Sequence, residues 1–292
     1  MIFSLGFTII LWYNIFDKGC DNMPELPEVE TVKNKLKEKL LNKRILNVKV
    51  LYDNIIEYPS VNEFKKEIKN QKINDITRRG KWLIFSLDDY YLLSHLRMEG
   101  KYVFRSSDDL IDKHEHVIFV LDNEELRYKD TRKFGRMHLI KKDELLKRKP
   151  ICDLGLDPWD NNLNKTYLKE KYKNKKLPIK TVILDQSIIV GIGNIYADEV
   201  LFLSKINPLK KACDLEDKEL DSIISNTKTV LEKAIKLGGT TIRSYESSEG
   251  VHGNFQDELL VHNKEICPYC NNKLNKIRVG GRGTYYCSNC QK

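Results

Sequence analysis

Four cysteines close the chain in two pairs, Cys267-Pro268-Tyr269-Cys270 and Cys287-Ser288-Asn289-Cys290, with sixteen residues between them. Two such CxxC knuckles put four thiolates tetrahedrally around one Zn²⁺. Four thiolates leave no open coordination position, so the site is structural rather than catalytic. A segment this short cannot bury a core of its own, and metal binding supplies much of its folding free energy. The other cysteines, Cys20, Cys152 and Cys213, are scattered, and seven is an odd total. That argues against a disulfide framework and for a reducing compartment. Between the knuckles runs Lys276-Ile277-Arg278-Val279-Gly280-Gly281-Arg282-Gly283-Thr284, a basic glycine-rich hairpin. Glycine lets backbone approach a ligand closely, and Arg282 presents a planar fork suited to phosphate. A solvated turn with incidental arginines fits the residues equally well.

The chain has 292 residues, and Lys plus Arg (50) exceed Asp plus Glu (42) by 8. With 41% hydrophobic residues and a mean hydropathy of −0.48, it is a globular rather than a disordered sequence. The basic balance suits a polyanion without demanding one.

The first sixteen residues, MIFSLGFTIILWYNIF, carry no charge. They are short for a membrane span and lack the basic start and cleavage site of a signal peptide. A short interfacial anchor remains open. If translation starts at Met23, Lys18-Gly19 would come from a purine-rich stretch placed where a ribosome-binding site belongs. Residues 1–22 are therefore expected to be untranslated leader read as protein.

After Met23, Val29, Val32, Leu36 and Leu40 recur at helical spacing. From about 44 to 141 the runs shorten to strand length: Ile45–Leu51, Lys81–Leu87, Tyr90–Leu96, Val117–Leu121 and Arg136–Ile140. Turn signals separate them, as expected of an antiparallel sandwich or barrel. Residues 142–165 read as an interdomain linker, 165–237 as helical, and Gly238 to Gly253 as a glycine-rich stretch. The expected division is an N-terminal β-sandwich at 23–150, a helical unit with a loop at 151–263, and a zinc finger at 264–292, an α+β multidomain chain.

Met23-Pro24-Glu25-Leu26-Pro27-Glu28-Val29-Glu30 closely resembles the amino terminus of the formamidopyrimidine-DNA glycosylases, bacterial enzymes that remove oxidised purines. The resemblance continues through Arg78-Arg79-Gly80-Lys81, His95-Leu96-Arg97-Met98-Glu99-Gly100 and Asp130-Thr131-Arg132-Lys133-Phe134-Gly135. It extends through Gly191-Ile192-Gly193-Asn194-Ile195-Tyr196-Ala197-Asp198-Glu199 to the zinc hairpin. The motifs keep the family's order over all but residues 1–22.

The resemblance implies a bifunctional glycosylase and lyase with a helix-two-turn-helix domain, one structural Zn²⁺, and duplex DNA carrying oxidised bases as partner. It implies a monomer in the cytoplasm. Its nucleophile would be the imino nitrogen of Pro24, which attacks sugar C1′ and leaves a Schiff base. An α-amino group is roughly 15% unprotonated at pH 7, against roughly 0.04% for lysine. Inside a chain the Pro24 nitrogen is a tertiary amide without an available lone pair, which again places the functional start beyond residue 22. Glu25 is the implied proton donor, with Glu28 a supporting carboxylate or simply an acid favouring the helix N-terminus. Lys81 would contact DNA and assist elimination. Arg282 would grip the lesion phosphate, a role better suited to a guanidinium than proton donation.

A flipped base leaves a hole, which the resemblance assigns Met98, Arg132 and Phe134 to fill. Read as residues alone, Met98 and Phe134 suit a core position. His114, Lys176 and Asn194 are implied DNA contacts. His116 reads as structural, and Lys175 is one residue from the Lys176 match. The Gly191–Asn194 turn would offer N–H groups to phosphate. Residues 245–254 resemble the loop over the flipped base. Two alternatives differ in class or substrate: an endonuclease VIII-like enzyme for oxidised pyrimidines, or a damage-binding protein without activity if the leader stays attached.

Overall fold

The computed structural model describes residues 23–240, 245–246 and 253–292. The leader reading of residues 1–22, and residues 247–252 of the expected lesion loop, lie outside the described residues.

The first helix, α1 (Leu26–Leu40), forms where the helical spacing predicts. Leu26, Val29, Val32, Leu36 and Leu40 are all fully buried. Each such side chain contributes about 1.5–3 kcal/mol relative to exposure. The stripe serves two cores. Val29 onward packs into the sandwich, whereas Leu26 belongs to the helical unit. The start of α1 is therefore held at the junction.

Nine strands follow: β1 (Asn47–Val50), β2 (Ile56–Tyr58), β3 (Asp75–Arg79), β4 (Trp82–Ser86), β5 (Tyr90–His95), β6 (Lys101–Arg105), β7 (Glu115–Val120), β8 (Glu125–Lys129) and β9 (Arg136–Lys141). A short helix, α2 (Val61–Ile68), follows β2 and is capped by Ser60 and Glu63. The helical unit holds α3 (Lys165–Tyr172), α4 (Ile179–Val182), α5 (Asn194–Leu203) and α6 (Asp217–Lys236). A two-residue strand, β10 (Tyr245–Glu246), comes next. The strands form two five-stranded sheets, ordered β1-β7-β8-β6-β10 and β2-β9-β5-β4-β3. The sandwich is antiparallel except at two edges, where β10 pairs parallel with β6 and β2 parallel with β9.

The linker is pinned down rather than loose. Ile151 packs with Trp82, Ile84, Leu93 and Ile140 of the sandwich. Arg79 Nη2 donates to the Gly155 carbonyl at 3.0 Å, and Arg78 bridges Glu30 (2.7 Å) and Asp157 (3.1 Å). The tail forms a hairpin of β11 (Asn275–Val279) and β12 (Arg282–Tyr286). Its two-residue turn, Gly280-Gly281, has φ of +55° and +78°, which side-chain-bearing residues adopt reluctantly.

Candidate active site

Three separate segments meet around the start of α1. Glu25 lies one residue ahead of the helix, beside the buried Pro24, and is itself 3% exposed. Its Oε1 accepts the Ile195 N–H at 2.9 Å and its Oε2 the Tyr196 N–H at 3.5 Å. Ile195 and Tyr196 occupy the first turn of α5, so a carboxylate from one helix start caps another helix. Free N–H groups and the helix dipole both favour an acid there.

The glycines of the Gly191–Asn194 turn make this approach possible. A Cβ at Gly193 would lie 2.2 Å from Glu25 Cδ, and one at Gly191 (φ +96°) 2.3 Å from Leu26 Cδ1. The sequence assigns the N–H groups of the Gly191–Asn194 turn to phosphate; just beyond that turn, those of Ile195 and Tyr196 go to Glu25. Asn194 differs in the same way. It is buried, and its Nδ2 donates to the Gly283 carbonyl at 2.9 Å, tying α5 to the zinc hairpin next to Arg282.

Glu28 is more than a helix-end acid. Its Oε2 accepts the Glu25 N–H (2.9 Å), while its Oε1 accepts the Tyr196 hydroxyl (2.6 Å), the Thr240 N–H (2.8 Å) and the Thr240 hydroxyl (3.2 Å). Gly239, at φ +82°, brings Thr240 this close, since a Cβ there would stand 2.5 Å from Glu28 Oε1. Sequence reasoning missed Tyr196 and Thr240. Tyr196 sits in a matching motif, but nothing in the pattern pairs it with Glu28.

Lys81 forms the tip of the β3–β4 hairpin with Gly80, whose missing Cβ would meet Val190 at 2.9 Å. Lys81 is 9% exposed. Burial pulls its pKa below the ordinary lysine value, and the Arg282 charge pulls the same way, against Glu25 and Glu28. Burial pushes the Glu25 carboxyl above its ordinary range, helped by Glu28 and opposed by Lys81 and the Ile195 N–H. A carboxyl shifted up and a lysine shifted down in one buried site make an arrangement suited to proton transfer. The structure thus brings Pro24, Glu25, Lys81 and Arg282 to one place.

Behind Arg282, the buried Asp198 accepts from Lys180 Nζ at 2.6 Å and from the Tyr285 N–H at 3.2 Å, with His262 Nδ1 at 2.7 Å. Glu199 accepts the N–H groups of Leu260, Val261 and His262. These two acids fasten the zinc hairpin and the turn that leads into it to α5. Their positions in the sequence carry no signal of that role.

The expected wedge residues occupy two other turns. Phe134 is 46% exposed and Met98 half-buried, so neither is in the core. The Arg132 guanidinium lies 4.8 Å from the Phe134 ring centre. Buried Asp130 organises their turn by accepting the N–H groups of Arg132 (3.0 Å), Phe134 (2.9 Å) and Gly135 (2.8 Å). His114 is half-buried on the neighbouring segment, and its carbonyl accepts the Asp130 N–H at 2.9 Å. His116 is buried with its Nε2 2.7 Å from the Asp130 carbonyl, a structural position. Lys175 pairs with Asp185 at 3.3 Å, while Lys176 is exposed.

Ligand sulfur atoms of Cys267, Cys270, Cys287 and Cys290 all lie within 4.8 Å of one another. The Cys267–Cys290 and Cys270–Cys287 separations are 3.8 and 3.5 Å. Tetrahedral Zn–S bonds of about 2.3 Å require sulfurs roughly 3.8 Å apart. The set fits one structural Zn²⁺, which these four thiolates hold.

A two-sheet sandwich, a helix-two-turn-helix unit and a four-cysteine hairpin converging on one buried acid–lysine centre define a three-part class of protein. Residues 23–137 match the formamidopyrimidine-DNA glycosylase N-terminal domain, 154–246 the H2TH domain of the same enzymes, and 264–292 the zinc finger found in FPG and IleRS. The chain belongs to the formamidopyrimidine-DNA glycosylase family. It is 48% identical over 273 residues to the formamidopyrimidine-DNA glycosylase of Oceanobacillus iheyensis, covering 92% of this chain and 98% of that one. For the Bacillus subtilis enzyme the identity is 44%, covering 92% and 99%. A solved Lactococcus lactis enzyme bound to Fapy-dG DNA superposes with a TM-score of 0.84 at 38% identity, covering 92% of this chain and all of that one. The same enzyme solved with oxidised-pyrimidine DNA gives 0.85 at 37% identity, with the same coverage.

Proposed function

We propose that this protein excises oxidised purines from duplex DNA and then cleaves the strand, with Pro24 as nucleophile. The observation that carries this reading is the meeting of the Pro24–Glu25 end of α1 and Lys81 in one buried centre, with half-buried Arg282 close enough to act on the Lys81 charge. The free Pro24 nitrogen attacks sugar C1′ and the base departs with the bonding electron pair, taking up a proton as the Pro24 nitrogen loses one, while protonated Glu25 delivers a proton to the ring oxygen and opens the sugar. Nitrogen and C1′ then share an iminium, which acidifies the C2′ proton. Loss of that proton expels the 3′ phosphate, and a second elimination expels the 5′ phosphate. Lys81, depressed in pKa, is placed to move protons in these steps. Arg282 holds the lesion phosphate.

This chemistry requires Pro24 to be the mature amino terminus, so residues 1–22 and Met23 are absent from the working enzyme. Residues 23–150, 151–263 and 264–292 act as its sandwich, helical and zinc units. Met98, Arg132 and Phe134 fill the gap left by the flipped base, His114 and Lys176 contact the phosphates, and Asn194 holds the zinc hairpin next to Arg282. Among the described residues no helix is long and apolar enough to cross a membrane. The protein acts as a cytoplasmic monomer on DNA.

The Lactococcus relative has been solved with oxidised-pyrimidine DNA, which favours a second reading in which pyrimidine lesions are also substrates. Excision from duplexes holding one 8-oxoguanine or one thymine glycol decides between them. Faster release of 8-oxoguanine is expected, and a preference for thymine glycol would overturn the purine assignment.

A further inference from the structure

The turn carrying Met98 and the turn carrying Arg132 and Phe134 belong to different strand connections, β5 to β6 and β8 to β9. Both close on a single oxygen atom. A Cβ at Gly100 would lie 2.2 Å from the Tyr128 hydroxyl, and one at Gly135 would lie 1.7 Å from it. Any other residue at either position would collide with Tyr128, so both backbones rest against the same hydroxyl. Tyr128 is fully buried near the end of β8. Its ring is fixed edge-on by Tyr102 at 5.3 Å, whose own hydroxyl donates to Ser94 at 2.8 Å. The Tyr128 hydroxyl points to Asp130 Oδ2 at 3.5 Å, and that same oxygen accepts the Phe134 and Gly135 N–H groups.

We infer that Tyr128 is a positioning residue, a spacer that sets the distance and angle between the Met98 turn and the Arg132–Phe134 turn. The inference rests on the wedge reading of those residues. Three side chains must enter one gap in the base stack together, yet two come from a turn that shares no strand connection with the third. A common support beneath both turns lets them enter as a unit. Tyr128 does not touch DNA in this account. It acts through Asp130, Gly100 and Gly135. Phenylalanine would keep the buried ring while removing the oxygen against which both turns rest.

The test uses full-length protein with its native terminus and a duplex carrying one 8-oxoguanine, with 2-aminopurine as the neighbouring base. Wedge entry unstacks the reporter, and stopped-flow fluorescence reads the rate. Tyr128→Phe is expected to slow that phase about fivefold to tenfold, the scale of one lost buried contact, with zinc content unchanged. KM for the lesion duplex should stay near wild type while kcat falls, because phosphate contacts lie elsewhere. A merely destabilised fold would instead lower the active fraction without changing the rate of the fluorescence phase, and that outcome would overturn the inference. Phe134→Ala is the control. If it slows the phase and Tyr128→Phe does not, Tyr128 is no spacer and the wedge reading stands. If Phe134→Ala also leaves the phase unchanged, the wedge reading fails and the inference fails with it.

Discussion

The centre around Glu25 and the turns around Phe134 are built in opposite ways. Glu25 and Glu28 are buried and take hydrogen bonds from Ile195, Tyr196 and Thr240, so two cores must come together for either to be satisfied. Phe134 is nearly half exposed, and its turn is organised from beneath by one aspartate. The first region makes stability and chemistry depend on the same contacts. The second separates them, since an exposed ring can be removed without disturbing the fold. Function therefore should be lost with stability in one place and without it in the other.

The largest break in that comparison comes from Glu25→Gln. Base excision should fall by about 10²–10⁴-fold, the range for a lost general acid. Cross-linking to a preformed abasic site should continue, because its sugar already opens to the aldehyde. Equal loss of both activities would make Glu25 structural only. Gly193→Ala comes next: its Cβ must displace Glu25, and overpacking of this kind costs about 1–3 kcal/mol. Calorimetry and excision should both register it, and a variant with unchanged melting and activity would contradict the cross-domain cap. Phe134→Ala sharpens the contrast. An exposed substitution changes stability by about 0.5 kcal/mol or less, yet loss of stacking worth about 1–3 kcal/mol should cost excision roughly tenfold or more.

The smallest effect is a shift in pH profile. The Lys81 charge lowers the Glu25 pKa, so Lys81→Met should raise it further. Protonated Glu25 would then survive to higher pH, moving the alkaline limb of residual excision upward. A downward shift would contradict the pairing. The same proton links stability to pH. Because the folded Glu25 pKa lies above its unfolded value, its contribution is complete below the ordinary carboxylate range and is lost as pH climbs through the raised value.

Much of this was legible beforehand where one signal had one physical cause. The apolar stripe of α1 and the two CxxC knuckles are of that kind. The strands around 82–86, 90–95 and 136–141 also show, being strand-length stretches rich in apolar residues. β3 (Asp75–Arg79) and β8 (Glu125–Lys129) do not show, because both are rich in charge. Arg78 in β3 pairs with Glu30 and Asp157, and Arg127 in β8 is buried between Glu115 and Glu125. Helix α2 carries a Ser60–Glu63 capping box that could have announced it. At the site, the residue types were visible but their partners were not. Gly191 and Gly193 signal close backbone approach, which a phosphate and a carboxylate satisfy alike. Only the long-range fold shows that Glu25 takes the place. Tyr128 reads as one more strand residue until two glycines from different turns meet at its hydroxyl.

The central claim is that Pro24 becomes a free nucleophile in the centre shared with Glu25 and Lys81. Borohydride trapping on a duplex with one 8-oxoguanine tests it most directly, using protein expressed from the gene with its own upstream DNA and peptide mapping of the adduct. The expected result is a covalent DNA adduct on an amino-terminal Pro24. An adduct mapped to Lys81 or another lysine, or excision by protein whose intact mass retains residues 1–22, would contradict it.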